Sequence, residues 1–507
     1  MAIKLSETAL YRVAELAKLA GNPNDPFAML PSRSSFPSSF TWGAAAAAYQ
    51  IEGAWNAEGK GLSVWDMMTS QPGRIWAGGT GQEACDHFHR YEEDIRLMQS
   101  LGFDAYRFSI SWPRVIPSGV GQPNARGLDF YDRLVDCMLD AGLEPWLTLF
   151  HWDYPYDLFL RGGWLNPDSP AWFEEYTRVV VDRLSDRVSH WMTLNEPQCF
   201  LGMGHLTGEH APGLRLGMTE VLLAVHHSML AHGLAVQAIR ERAKQKPVIG
   251  FAPVGCIFHP ASDSAEDAEA AMQGMATIYP DNLWNNTWFA DPIVLGHYPE
   301  AGLKAYGRHV PKIAAGDMET ICQPLDFYGC NIYSSTKVRA GANGRPEVVQ
   351  PGQGGAQTHF GWNVTPESLY WGPKFLAERY KLPIVVTENG LSLNDWVGID
   401  GRVKDHARID FLARYLRQLD RAASDGVDIR GYFHWSILDN FEWAEGYKHR
   451  FGLVYVDYAT QQRIPKESAY WFQRVIETNG GSLYVGWGGD GAQAVYSLEA
   501  PELQATP

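Results

Sequence analysis

The chain has 507 residues with 45% hydrophobic and 20% charged side chains, the balance of a soluble globular protein long enough for two domains or one large α/β barrel with insertions. Its formal net charge is −16, which argues against a nucleic-acid backbone as the main partner. Nineteen tryptophans and 13% aromatic residues could cover flat apolar faces of a ligand, although large enzymes often carry as many.

Near the N-terminus, Leu5, Ala9, Leu10, Val13, Leu16 and Ala17 recur at helical spacing, with Glu7, Arg12, Glu15 and Lys18 between them. This predicts an amphipathic helix ending near Gly21 and docked outside the main fold, not an export signal. No stretch is read as approaching the ~20 apolar residues of a membrane span. The cysteines (Cys85, Cys137, Cys199, Cys256, Cys322, Cys330) form no C-x-x-C pair or zinc-type spacing. Free thiols in the cytoplasm are therefore expected.

Strand-like runs follow at Phe40–Tyr49, Ala105–Trp112, Glu144–Trp152, His190–Glu196, Val248–Val254, Phe327–Tyr333, Ile384–Glu388 and Tyr432–Leu438. Several are continuously apolar, as suits strands buried on both faces of a parallel sheet. Helical periodicity fills the gaps at 92–101, 127–141, 171–184, 219–243, 367–380 and 406–425. Eight strand–helix units predict a closed (β/α)₈ TIM barrel with long active-site loops at about 257–291 and 336–365. A doubly wound open sheet is the second possibility, but no Gly-x-Gly-x-x-Gly follows an early strand. The expected division is a helical extension over 1–35, a catalytic barrel over 36–478 and a C-terminal tail over 479–507.

Reactive groups in such a barrel sit at the C-terminal ends of the strands. Those ends offer Gln50, Arg107, His151, Asn195 with Glu196, Asn331 with Tyr333, Glu388, and Trp435 followed by Glu442 and Trp443. A lone strand-end Glu is more often a surface group or half of an ion pair. Two facing each other across a barrel mouth, however, could supply the acid and the carboxylate that acetal cleavage needs. Asn195 could bond a sugar hydroxyl, while Arg107 and Tyr333 could keep Glu388 ionised.

Thr193-Leu194-Asn195-Glu196-Pro197 and Val386-Thr387-Glu388-Asn389-Gly390 resemble the two catalytic motifs of glycoside hydrolase family 1, the β-glucosidases and their relatives. The segments from Phe40 to Gly53, Tyr106 to Trp112, His151-Trp152-Asp153 and Trp435 to Trp443 resemble further signatures of that family, in its order, from about Phe36 to Thr478. The resemblance implies a retaining β-glucosidase with Glu196 as acid/base and Glu388 as nucleophile. It implies that Gln50, His151, Asn195, Glu442 and Trp443 bind the hydroxyls of the cleaved sugar. Trp435 would lie beneath that ring, Phe451 would border it, and Trp362 would be the leaving-group platform. No cofactor or metal is implied. The implied partners are small β-glucosides and cello-oligosaccharides, with no nucleic acid and no membrane.

His226, His227 and His232 on a helical segment are given no role, and Cys199 is expected to pack near the entrance. Tyr154-Pro155-Tyr156 and the segment Gly255–Pro260 depart from the family pattern, and both are expected near the leaving group. Glu196 argues against a thioglucosidase, whose acid/base is replaced by Gln, and Glu442 against a phospho-β-glycosidase. A broad β-galactosidase or β-fucosidase activity, a transglycosylase and a sugar-binding pseudoenzyme are the alternatives.

Overall fold

The computed structural model describes residues 34–342 and 345–484. The expected N-terminal helix, and the tail beyond Tyr484, lie outside the described residues. Eight strands form one sheet: β1 (Thr41–Ala45), β2 (Ala105–Ser109), β3 (Glu144–Phe150), β4 (His190–Asn195), β5 (Val248–Ala252), β6 (Tyr328–Asn331), β7 (Ile384–Asn389) and β8 (Ile429–Trp435). Their order is β5-β4-β3-β2-β1-β8-β7-β6, with every pair parallel. A parallel bridge between Val254 and Asn331 joins the two ends, so the sheet closes into the expected (β/α)₈ barrel.

All eight strands fall within or against their predicted runs, but the ends differ. The first strand stops at Ala45, and Ala48–Ile51 makes a helical turn that carries Gln50. Alanine-rich sequence favours that turn, and the Ala48 amide donates to Ser109 Oγ at 2.7 Å. The second strand stops at Ser109, before the helical turn Trp112–Val115.

The interior of the barrel is packed by large and absent side chains in alternation. Trp146, Phe327, Phe433 and Met192 fill it, with Ala45, Ala105 and Ala252 beside them. A Cβ on Gly43 would fall inside the Phe433 ring, and one on Gly250 inside that of Phe327. These glycines make room for the rings. Gly43→Val should therefore lower unfolding stability by roughly 1–3 kcal/mol or more through overpacking, read as a shift in the urea midpoint.

The six predicted helices are present at His87–Ser100, Ala125–Asp140, Ser169–Leu184, Met218–Arg242, Ser368–Tyr380 and His406–Ser424. One expectation needs correction. Helix Met218–Arg242 is long and apolar enough to span a membrane by length and composition, with a mean hydropathy of 1.3 in its most apolar window. Here 78% of that window is buried within the protein, where it serves as a barrel helix. Its histidines, given no role from the sequence, bond within the protein: His226 to Tyr298 and Asp317, His227 to the Trp164 carbonyl, and His232 to the Thr193 hydroxyl.

The two long loops contain regular elements. The first holds the strand Ile257–Pro260, the helix Ala265–Ala276, capped by Ser264 Oγ, and the start of the helix Thr287–Val294. The second holds the strands Ser335–Ala340 and Pro346–Val348. Ile257–Pro260 pairs with Ser335–Ala340, so the two loops form one small sheet beyond the strand ends. The small buried faces, Ala270, Ala271, Gly274 and Met275 on the helix, leave little apolar period in the sequence.

Candidate active site

A cavity of about 730 Å³ opens beyond the C-terminal ends of the strands. Glu196, Glu388, His151, Asn331, Tyr333, Trp362, Trp435, Glu442, Trp443 and Phe451 all line it. Gln50, Asn195 and Arg107 stand one layer behind, each bonded to a lining residue. The candidate residues, from seven of the eight strands or the segments that follow them, therefore converge on one site.

The register of the sheet aims the two carboxyl groups. Pairing of β4 with β5 shifts between Met192 and Asn195, just before Glu196. Pairing of β7 with β6 shifts between Val386 and Glu388. Such irregularities re-aim side chains at strand ends. Glu196 itself has φ 45°, and the lining residues Trp152 and Trp443 have φ 82° and 50°. Backbone held in this region costs about 1–3 kcal/mol each and survives where its surroundings over-determine it. At Glu196 the backbone amide is tied to the Ala252 carbonyl at 2.8 Å.

Glu388 is buried between two donors. Arg107 Nη1 donates to its Oε1 at 2.6 Å, and the Tyr333 hydroxyl to its Oε2 at 2.8 Å. Glu196 accepts the Asn331 amide at 2.9 Å. Burial raises the pKa of both carboxyl groups, but their other neighbours pull them apart. Arg107 and Tyr333 oppose the rise at Glu388. At Glu196 the charge of Glu388 adds to burial and pushes the carboxyl up to about 8. The pair therefore loses its first proton from Glu388, while Glu196 keeps one near neutral pH.

Asn195 also settles the state of His151. Its Oδ1 accepts from Arg107 Nη2 at 2.6 Å and from Asn331 Nδ2 at 3.0 Å. Its amide group must then be what meets His151 Nε2 at 3.0 Å. Burial, then the nearby Arg107, hold His151 well below its usual pKa, so the ring is neutral. Nε2 accepts, and the proton sits on Nδ1 as a donor for a ligand. Gln50 Nε2 is held by Asn440 Oδ1 at 3.0 Å and the Phe441 carbonyl at 2.9 Å. Its Oε1 is buried without a protein hydrogen-bond partner. Glu442, expected as an acceptor, is pushed to about 8 by burial first and then by Glu388 and Glu196.

Aromatic rings complete the walls. Trp435 and Trp443 each lie nearly parallel to His151, at 5.6 and 5.9 Å between centroids. Trp362 packs against Tyr333 at 5.2 Å and Phe360 at 4.5 Å.

Sequence reasoning missed several supports. Trp152 donates to the Asn195 carbonyl, Thr387 Oγ1 holds Asn331, and Phe360 lines the cavity. Each sits within two residues of a recognised position, which was the available signal. Cys199 lines the cavity with its thiol kept protonated by burial, in keeping with packing and not reaction. The expectation for Tyr154-Pro155-Tyr156 is corrected. None of the three lines the cavity, and Tyr154 packs inward against Trp112 and Trp164. Gly255–Phe258 do line it.

A family model described as Glycosyl hydrolase family 1 matches residues 32–481. The chain is 44% identical over 446 residues to a 1,4-beta-D-glucan glucohydrolase of Thermotoga neapolitana, covering 88% of this chain and 99% of that one. It is 44% identical over 446 residues to Beta-glucosidase A of Thermotoga maritima, covering 88% and 98% respectively. A solved family 1 β-glucosidase from Thermotoga maritima, in complex with isofagomine lactam, superposes with a TM-score of 0.81 at 44% identity, covering 88% of this chain and 99% of that one.

Proposed function

The chain belongs to glycosyl hydrolase family 1 and is a retaining β-glucosidase; from that premise we propose that it removes terminal β-glucosyl residues from small glycosides, cellobiose and cello-oligosaccharides included. The observation that carries the reading is the buried carboxyl pair in which Glu388 accepts from the Arg107 guanidinium at 2.6 Å and the Tyr333 hydroxyl at 2.8 Å while Glu196 accepts from the Asn331 amide at 2.9 Å. Glu388, held ionised by Arg107 and Tyr333, attacks the anomeric carbon as Glu196 protonates the departing oxygen. A glycosyl ester forms on Glu388. Glu196, now a carboxylate, takes a proton from water, which attacks the same carbon and releases glucose with its configuration retained. The Asn331 amide beside both groups fits the short carboxyl separation of retaining enzymes, about 5–5.5 Å, which a crystal structure would measure directly.

His151 Nδ1, Gln50 Oε1 and Glu442 offer a donor and two acceptors to the hydroxyls of the sugar, and Trp435 an apolar face to its ring. A kinetic panel of cellobiose, longer cello-oligosaccharides, lactose and aryl glycosides tests the substrate range; cleavage of galactosides with no activity on glucosides would overturn it. The six cysteines are unpaired, which supports the cytoplasm as the site of action. Cell fractionation tests that assignment, and recovery outside the cell would reject it.

The charge states predict a pH profile. Glu196 must hold its proton in the first step, so kcat/KM on a poor leaving group should fall as pH rises through about 8. A 2,4-dinitrophenyl glucoside, whose leaving group needs no proton, should lose that limb. An identical basic limb on both substrates would mean that a group other than Glu196 titrates there.

A further inference from the structure

We propose that Thr387, the residue before the nucleophile, is a positioning residue for the acid/base: its hydroxyl holds the Asn331 side chain so that an N–H, and not the carbonyl oxygen, meets Glu196. The proposal rests on the retaining β-glucosidase reading and adds a residue to that site. A primary amide has a donor end and an acceptor end of nearly the same shape. Beside a carboxylate the two ends act oppositely, one favouring its charge and the other opposing it. The partners of Asn331 fix which end faces Glu196. A guanidinium only donates, so Asn195 turns its Oδ1 toward Arg107 Nη2 at 2.6 Å. What meets the same Oδ1 at 3.0 Å is then Asn331 Nδ2, whose other N–H reaches Glu196 Oε1 at 2.9 Å. At the far end of the amide, Thr387 Oγ1 donates to Asn331 Oδ1 at 2.6 Å. Among the described residues it is the one donor bonded to that oxygen.

The register of the sheet explains how Thr387 reaches Asn331. Val386 pairs with Cys330 and Glu388 with Asn331, so Thr387 is the extra residue of a bulge in β7. Its methyl lies over Gly329, where an added Cβ would stand 2.9 Å from Thr387 Cγ2. A β-branched side chain is stiff at χ1, so with the methyl seated there the hydroxyl stays on Asn331. Thr387, Asn331 and Asn195 are all buried. Without the hydroxyl, Asn331 Oδ1 becomes a buried carbonyl with no donor, a costly state that the amide relieves by turning. Turning draws the N–H away from Glu196. The charged and titratable groups that face Glu196 are Glu388, Glu442, Arg107, Tyr333 and the thiols of Cys199, Cys256 and Cys330. A change of the Thr387 side chain removes none of them.

Thr387→Val keeps the shape and removes the hydroxyl, while Thr387→Ser keeps the hydroxyl. Glu196 must be protonated to release a sugar, and an N–H that favours its carboxylate lowers the pH at which the proton leaves. In Thr387→Val the basic limb of kcat/KM on cellobiose, expected near about pH 8, should therefore move up. The move should be roughly half to one pH unit, part of what a hydrogen bond to a carboxylate is worth. Below the limb kcat/KM should fall roughly tenfold, against about threefold or less on 2,4-dinitrophenyl β-glucoside, whose leaving group needs no proton. Thr387→Ser should return the limb to its native place. Asn331→Ala tests the route. In that background Thr387→Val should change kcat/KM on cellobiose by less than about twofold, because the hydroxyl has lost the group it acts through. Thr387→Ala carries the same expectations where Thr387→Val does not fold. A limb unmoved in Thr387→Val, a limb that Thr387→Ser fails to restore, or the full loss repeated in the Asn331→Ala background would overturn the proposal. Turnover of β-galactosides with none of β-glucosides would instead sink the glucosidase reading, and lactose would then take the place of cellobiose in the same measurements.

Discussion

Glu388→Gly supplied with azide should yield the α-glucosyl azide, and Glu196→Ala the β-glucosyl azide. In the first variant the face of the sugar that Glu388 attacks is vacant, and azide enters there with one inversion. In the second, Glu388 still forms its ester, and azide takes the place of water in a second inversion. Without azide, Glu388→Gly should lose at least about 10⁴-fold in kcat, because no group remains to form the intermediate. Glu196→Ala should lose roughly 10²–10⁴-fold on poor leaving groups and far less on activated aryl ones in the step that forms the ester. The asymmetry follows from the neighbours. Arg107 Nη1 at 2.6 Å and Tyr333 at 2.8 Å serve an ionised Glu388, while Glu196 has the Asn331 amide and the Cys199 thiol and, among the described residues, no cation bonded to it. The same azide anomer from both variants, identified by NMR, would reject the assignment.

Glu442→Ser should cut kcat/KM on an aryl β-glucoside by roughly 10²-fold or more. Hydrogen bonds to a charged acceptor are worth about 1.5–3 kcal/mol each, and a carboxylate here can accept two hydroxyls. Burial, Glu388 and Glu196 push Glu442 up to about 8, since a lone carboxylate there is poorly solvated and repelled. Two sugar hydroxyls would supply the missing solvation and favour the ionised form. The same carboxylate should reject a 6-phosphate by like-charge repulsion. Comparing kcat/KM for the aryl glucoside and its 6-phosphate in both proteins checks this. The native enzyme should prefer the unphosphorylated sugar, and Glu442→Ser should narrow the ratio. An unchanged ratio would remove Glu442 from the role of selecting the sugar.

The barrel was legible because strands buried on both faces leave continuous apolar runs, such as Trp146 to Phe150 and Ile384 to Val386, whose spacing survives in one dimension. Glu196 and Glu388 were legible for a related reason: a barrel places reactive groups at strand ends, and the flanking residues at those ends formed recognisable motifs. The small sheet that joins the two long loops was not legible. Ile257–Pro260 and Ser335–Ala340 are far apart in the chain, and their pairing depends on two barrel strands ending side by side. Nor could sequence show that Tyr154 turns inward while Phe258 lines the cavity, since both are aromatic residues in departures of the same kind. The difference between the two glutamates is likewise tertiary. Each ends a strand, and as free side chains they would titrate alike. Only the closed barrel sets Arg107 from β2 against Glu388 and leaves Glu196 facing that carboxylate in a buried site. Residue type determined which groups could do the chemistry; the low-dielectric packing of distant segments decided which of them holds the proton.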